Sequence, residues 1–278
     1  MKRIIIPTDF SPASDNALHY GAQLAQTIGA DLLLLHVYMI PITINEMPVM
    51  VLSGDELKNS ADAGLARYQQ ELLKTYPSLP VSVESRLGDV VEELKDLCEE
   101  MNPFAVVMST HSTSAAEKML FGSNVVSAVR RVNSVLITVP AEFSYKPIKN
   151  IVLATDLQQV DKTPTARILE ILQTFEAQLH LVHIATNKDG EGVSEQAALK
   201  LQSLLESANP DYTVINDEHF LHGLESFAGQ TNADLLILLP HEHSWIENFF
   251  FKLHTKDVVT KAHLPVLSIP EGTKTQHS

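Results

Sequence analysis

At 278 residues, 45% hydrophobic and 19% charged, the chain has apolar material for one large domain or two ordinary ones of about 100 to 200 residues each, and no bias toward disorder. Its 20 Lys and Arg against 34 Asp and Glu give a net charge of −14. That charge repels polyanions and anionic headgroups, so nucleic-acid and membrane-surface partners are not expected, although a small anion answers to local donors within roughly 8 Å of screening.

The start, Met1-Lys2-Arg3-Ile4-Ile5-Ile6-Pro7, has the charge of a signal peptide, but its apolar run stops too soon. No run approaches the roughly 20 apolar residues that span a bilayer. A cytoplasmic location is expected.

In chain order the spacing predicts strand Arg3–Pro7, helix Pro12–Ile28, strand Asp31–Tyr38, helix Asp55–Thr75 and strand Val81–Arg86. Helix Val90–Glu100, strand Ala105–Met108, helix Ser123–Arg131 and strand Val135–Val139 follow. Ser11-Pro12 suits a helix start, a capping hydroxyl before a residue whose missing N–H costs nothing there. Gly29 suits its end, where positive φ is needed. The lone cysteine, Cys98, falls on an apolar helix face and is expected to pack rather than react. Strands that are continuous Val, Ile and Leu runs imply helices on both sheet faces, hence a parallel, doubly wound α/β sheet. Between Tyr38 and Asp55 lies Met39 to Met50, apolar, aperiodic and with two prolines. It is expected to be a loop buried at a contact rather than a lid.

The chain then repeats. Lys2 to Asp9 lies on Lys149 to Asp156, a shift of 149 − 2 = 147, and both segments end in Thr-Asp. Ala30 to Val37 lies on Ala177 to Ile184 at the same shift, with His36 on His183. Farther on the shift becomes 241 − 111 = 130, placing His111 on His241, Phe121 on Phe251 and Val139-Pro140 on Ile269-Pro270. Two tandem copies are expected, residues 1–145 and 146–278, joined by the short link Ala141 to Pro147. The tail Glu271 to Ser278 is expected to be loose.

Ligands of open parallel sheets settle beyond the carboxyl ends of the strands, where strand order reverses. This points to Thr8-Asp9, Tyr38 and Ser109. The loop after the fourth strand reads Ser109, two residues, Ser112, nine residues, Gly122, Ser123. Gly122 would let backbone approach a phosphate, and Ser123 opens a helix whose free N–H groups suit an anion.

At these residues the chain resembles the universal stress protein family, whose nucleotide-binding members carry Gly, two residues, Gly, nine residues, Gly, then Ser or Thr. Serines stand here at the first two glycine positions; Thr8-Asp9 matches the family's strand-end Asp, and Val135 to Pro140 its last strand. The resemblance covers both copies and implies two Rossmann-like domains. It also implies a stress-response regulatory module without dedicated catalysis, binding ATP or another adenine nucleotide, with magnesium or without, in copy one. The triphosphate would lie at Gly122, Ser123 and Asn124, with Asp9 near ribose or adenine and Val37 and Tyr38 along the base. Pro7, Thr8, Met108, Ser109, His111 and Ser112 would complete the site. Left-handed geometry at Ser109 or Ser112 would cost about 1 kcal/mol each relative to glycine, while their hydroxyls can donate to phosphate.

Two alternatives stand beside this: an interaction protein that kept the fold and lost the nucleotide, and a weak ATPase or nucleotidyl-transfer enzyme on a related sheet. The Ser-Gly-Gly loop of the latter is not seen, since Phe10-Ser11-Pro12 follows the first strand. In copy two, Leu239, Glu242, Lys252 and Leu253 replace Ser109, Ser112, Gly122 and Ser123, so a non-binder is expected. His241, His243, His254 and His263 lack zinc spacing, and His219 and His222 fall in a predicted strand-to-loop stretch; solvated or capping roles are expected for them. His36 and His183 read as buried imidazoles bonded to backbone, and Asp9 and Asp156 as either ligand contacts or loop-amide acceptors. The resemblance also implies a pseudo-twofold axis, with Val135–Val139 meeting Pro265–Ile269 edge to edge, and allows a homodimer.

Overall fold

The computed structural model describes residues 2–40, 53–110, 123–186, 195–240 and 264–271. The first half runs β1 (Arg3–Pro7), α1 (Pro12–Ile28), β2 (Asp31–Tyr38), α2 (Gly54–Thr75), β3 (Val81–Leu87), α3 (Val90–Met101), β4 (Ala105–Ser109), α4 (Ser123–Arg131) and β5 (Leu136–Val139). The second half runs β6 (Asn150–Ala154), α5 (Thr165–Phe175), β7 (Gln178–Ala185), α6 (Glu195–Leu204), β8 (Asp211–Asn216), α7 (Phe220–Gln230), β9 (Leu235–Leu238) and β10 (Val266–Ser268). The first-half boundaries differ from the sequence expectation by about one residue at several ends, the ordinary scatter of frayed termini. The insert Pro41 to Met50, the loop His111 to Gly122, His241 to His263 and the tail from Gly272 lie outside the described residues.

Local chemistry explains the first helix. Ser11 sits extended (φ −85°, ψ 157°), its side chain accepts the Ser14 N–H, Pro12 opens the helix, and Gly29 ends it in left-handed geometry at φ 63°. Leu32 and Leu34 face the same layer as Ile4 and Ile6, against α1 and α2. Leu33, Leu35 and Ile5 face the layer of α3 and α4. Because both faces are covered, the inner strands need no polar alternation. The edge strand β3 does alternate, reading VSVESRL with only partial burial. Cys98 is buried, and burial pushes its thiol up to about 12, as a packing residue requires.

Among the described residues, ten strands form one sheet in the order β3-β2-β1-β4-β5-β10-β9-β6-β7-β8. All pairings are parallel except β5 with β10, where Thr138 faces Val266, Ile137 faces Leu267 and Leu136 faces Ser268. Leu267 is the repeat equivalent of Ile137, so that pair lies on a pseudo-twofold axis, and each flanking pair maps onto the other. The two edges that would otherwise be open thereby close each other.

The halves also meet where α5 reaches Phe104, just before β4 of the first half. Arg167 of α5 is only 1% exposed; it donates to the Phe104 carbonyl, bonds Glu170 at 2.5 Å and lies 4.8 Å over the Phe104 ring. Phe104 in turn meets Phe175 edge-on at 6.1 Å. The link between the halves is pinned to α1: Asn16 donates to the Pro140 and Phe143 carbonyls at 2.9 and 3.2 Å, and Tyr145 donates to Thr27 at 2.8 Å. No helix among the described residues is long and apolar enough to cross a membrane.

Candidate functional site

Strand order reverses between β1 and β4, because β2 and β3 extend one way and β4 and β5 the other. The carboxyl edge at this point is the natural ligand crevice of such a sheet. The chain leaves β1 in a tight turn. Thr8 keeps one more sheet bond, its N–H to the Leu35 carbonyl at 2.8 Å. Phe10 N–H then donates to Thr8 Oγ1 at 3.1 Å and Ser11 N–H to Asp9 Oδ1 at 3.0 Å. Side chains two residues back thus satisfy amides that neither strand nor helix can serve. The turn places Phe10 in left-handed backbone at φ 60° and leaves Asp9 exposed while Thr8 is buried.

His36 of β2 locks the turn from the side, its Nδ1 2.7 Å from the Thr8 carbonyl oxygen. A carbonyl only accepts, so Nδ1 carries the hydrogen. The Phe10 ring stacks on the imidazole with centroids 4.3 Å apart and meets Tyr68 at 5.1 Å. The ring fits because position 64 is glycine: a Cβ on Gly64 would come within 2.7 Å of Phe10 Cζ. The sequence reading singled out His36 and missed Phe10 and Gly64, whose partnership no local pattern signals.

Seven of the predicted site residues, Pro7, Thr8, Asp9, Val37, Tyr38, Met108 and Ser109, lie at this edge. Pro7, Thr8 and Asp9 end β1, and Val37 and Tyr38 end the neighbouring β2, paired with Arg86 and Leu87. Met108 and Ser109 end β4 on the other side, paired with Thr138 and Val139. Met108 is buried in the α3–α4 layer and is a core residue. Ser109 is half-buried and is not among the described residues with positive φ, so it carries no left-handed strain. Ser123 and Asn124 are exposed first residues of α4. His111, Ser112 and Gly122 lie outside the described residues, so their placement relative to this edge is not described.

The second half rebuilds the same turn. Leu157 N–H donates to Thr155 Oγ1 at 3.0 Å, Gln158 N–H to Asp156 Oδ1 at 2.9 Å, and His183 Nδ1 lies 2.9 Å from the Thr155 carbonyl. Leu157 repeats the left-handed backbone at φ 59°. At the equivalent of Ser109, however, stands Leu239, 3% exposed and part of the α5-side core. Glu242, Lys252, Leu253, His241, His243, His254 and His263 lie outside the described residues. His222 falls inside α7, one turn in, rather than in a loop; its Nδ1 bonds Asp217 at 2.6 Å. His219 precedes that helix without a side-chain capping bond. No three His, Cys, Asp or Glu converge on a metal position among the described residues.

The model of the universal stress protein family matches this sequence twice, over residues 1–140 and 147–270. A universal stress protein from Archaeoglobus fulgidus DSM 4304 is similar over 97% of this chain and 98% of its own, with 16% identity and a TM-score of 0.70. A functionally unknown protein from Pseudomonas aeruginosa PAO1 is similar over 98% and 93%, with 11% identity and a TM-score of 0.58. A universal stress protein in complex with cAMP is 22% identical over 50% of this chain and 96% of its own, at a TM-score of 0.39. No curated protein matches this sequence.

Proposed function

The chain belongs to the universal stress protein family, and from that premise we propose that residues 1–145 form a nucleotide-binding domain and residues 146–278 a partner domain that has lost the ligand. The reading is a regulatory module that responds to an adenine nucleotide, ATP or a relative, held in the crevice between β1 and β4. The observation that carries it is the contrast at the two switch points: a half-buried polar Ser109 closes β4, whereas buried Leu239 stands at its equivalent beyond β9.

In the first domain the roles are those that the family resemblance implies, and the side-chain chemistry fits them. Asp9 is exposed beside the crevice and can accept from ribose hydroxyls or an adenine amine. The β2 end at Val37 and Tyr38 offers backbone for the base. Ser109 and Ser112 supply hydroxyl donors, and Gly122, Ser123 and Asn124 bring the start of α4, with its free N–H groups, to the phosphates. The described residues offer no three-ligand metal cage, so magnesium would accompany the phosphates with its own waters, as that ion usually does.

Thermal denaturation of the full chain with ATP, ADP, AMP and cAMP tests this. Saturation to 100 times Kd adds about 2.7 kcal/mol of stability, and Gly122→Asp should remove the response. No stabilisation by any of the four at millimolar concentration rejects the nucleotide and leaves the interaction-protein reading. Phosphate release at many turnovers per minute on the same samples would instead favour the enzyme reading.

A further inference from the structure

We propose a second ligand site in the first half, for a small planar aromatic carboxylate, on the sheet face opposite to α4 and independent of the nucleotide reading. A cavity of about 450 Å³ opens between the β1 turn, the end of β2 and the first half of α2, lined by Phe10, His36, Tyr38, Ser60, Gly64 and Arg67 among others. This lies within the range of small-molecule pockets. Side chains alternate along β2: Val37 packs with the α3–α4 layer while Phe10, stacked on His36, packs with the α1–α2 layer. The cavity therefore sits behind the Thr8–Phe10 turn, not in the β1–β4 crevice.

The walls define what fits. Phe10 and His36 form a stacked aromatic surface, held by the left-handed backbone at Phe10, by the Thr8 carbonyl bond to His36 and by the absent Cβ of Gly64. That surface is fixed before any ligand arrives, and a flat ring packs on it at little ordering cost. Ala61, Ala63 and Gly64 leave the facing helix wall low. With Nδ1 of His36 committed to Thr8, its Nε2 in the neutral ring is an acceptor, and Ser60 and Tyr38 add hydroxyls.

Charge decides the sign of the ligand. Arg67 is exposed, lies 5.6 Å over the Tyr68 ring and has no ion pair among the described residues. Of the nearby acids, Asp62 is committed to Lys58 and Ser85 and Asp15 to Tyr68, while Glu71, four residues along α2 from Arg67, is exposed to solvent. In a chain of net charge −14, a guanidinium facing an aromatic cavity is the feature that recruits a carboxylate, which it can bind through two parallel N–H donors.

The test uses the full chain and 2-naphthoate, followed by calorimetry and by saturation-transfer NMR. Naphthoate should bind about tenfold tighter than 2-naphthylmethanol, the worth of one charge-assisted bond. Arg67→Gln should erase that difference, and Ala63→Trp, at an exposed cavity position, should abolish binding of both. Excess ATP should leave naphthoate binding unchanged. The proposal fails if naphthoate does not bind at millimolar concentration, if neither Arg67→Gln nor Ala63→Trp weakens it, or if ATP displaces it, which would place it in the crevice instead.

Discussion

The two carboxyl-edge turns are nearly superimposable in their bonding, yet the strand ends facing them have diverged. Thr8-Asp9 and Thr155-Asp156 each satisfy the same two amides, and His36 and His183 each bond the same carbonyl. At the switch point a half-buried serine in one half corresponds to a buried leucine in the other. The Thr-Asp pair is therefore explained by the turn it builds, whether or not a ligand is present. Among the described residues of this edge, the halves differ instead at the β4 and β9 ends, Ser109 in one and Leu239 in the other.

The largest effect should appear where the halves touch. Arg167 and Tyr20 occupy equivalent positions on α5 and α1, but Arg167 is bonded to Phe104 and Glu170, whereas the buried Tyr20 hydroxyl has no hydrogen-bond partner among the described residues. Burial, then Tyr145 and Asp234, pushes that hydroxyl well above its ordinary range, so it stays neutral. Arg167→Ala should cost about 3 to 5 kcal/mol, since it removes a buried cation from a mostly buried carboxylate and a buried carbonyl. Tyr20→Phe should cost nothing or stabilise by up to about 1 kcal/mol. Urea denaturation of both variants checks the pair; equal losses would mean that the arginine is no more than a space filler.

Next comes the ligand response. Asp9→Ala and Asp156→Ala should each destabilise the apo chain by about 0.5 to 1.5 kcal/mol, because each deletes one turn acceptor. Only Asp9→Ala should also abolish the nucleotide-induced rise in Tm, and a rise that survives Asp9→Ala but not Asp156→Ala would reverse the assignment of the halves.

The fold was largely legible because it is written in local signals. Continuous apolar runs marked the buried strands, Ser11-Pro12 and Gly29 bracketed α1, the 147- and 130-residue shifts marked the duplication, and the meeting of β5 and β10 was what the family resemblance implied. The site was legible only in part. Phe10 and Gly64 lie 54 positions apart (64 − 10) and touch only because α2 folds back over β2, a tertiary contact without sequence periodicity. Likewise Arg167 reads as an ordinary helix-surface residue in TARILEILQTF; its burial comes from the other half of the chain. His222 was misplaced because Asp217-Glu-His219 looks like a loop, and the helix begins immediately after it.

A smaller effect sits at equivalent helix ends. Gly29 ends α1 at φ 63° and Glu176 ends α5 at φ 50°, the same left-handed cap built once from glycine and once from a residue whose Cβ resists it. Glu176→Gly should stabilise the chain by about 1 kcal/mol and Gly29→Ala should destabilise it by a similar amount. The ion pair lost with Glu176, 3.7 Å from Lys149 and 84% exposed on the Glu side, offsets little of this. Paired thermal melts decide it, and a destabilised Glu176→Gly would show that the ion pair outweighs the cap.

The smallest effect separates α3 from α7. Asp89 caps α3 by accepting the Val91 and Glu92 amides, whereas at α7 His219 stands in the cap position and Asp217, two residues earlier, accepts the His219 amide and faces His222. The Asp217 hydrogen bond raises His222 above its ordinary 6.5, and the His219 amide, then His222, holds Asp217 below its ordinary 3.8. A raised histidine stabilises the fold fully below its unfolded pKa and loses that contribution as pH rises through the folded one. A lowered aspartate contributes above its unfolded pKa and loses it as pH falls through the folded one. Both contributions are therefore complete only between 3.8 and 6.5. In a proton NMR titration, the His222 Cε1 resonance should show a midpoint above 6.5 that drops in Asp217→Asn. An unchanged midpoint would leave α7 without an electrostatic substitute for the cap that Asp89 gives α3.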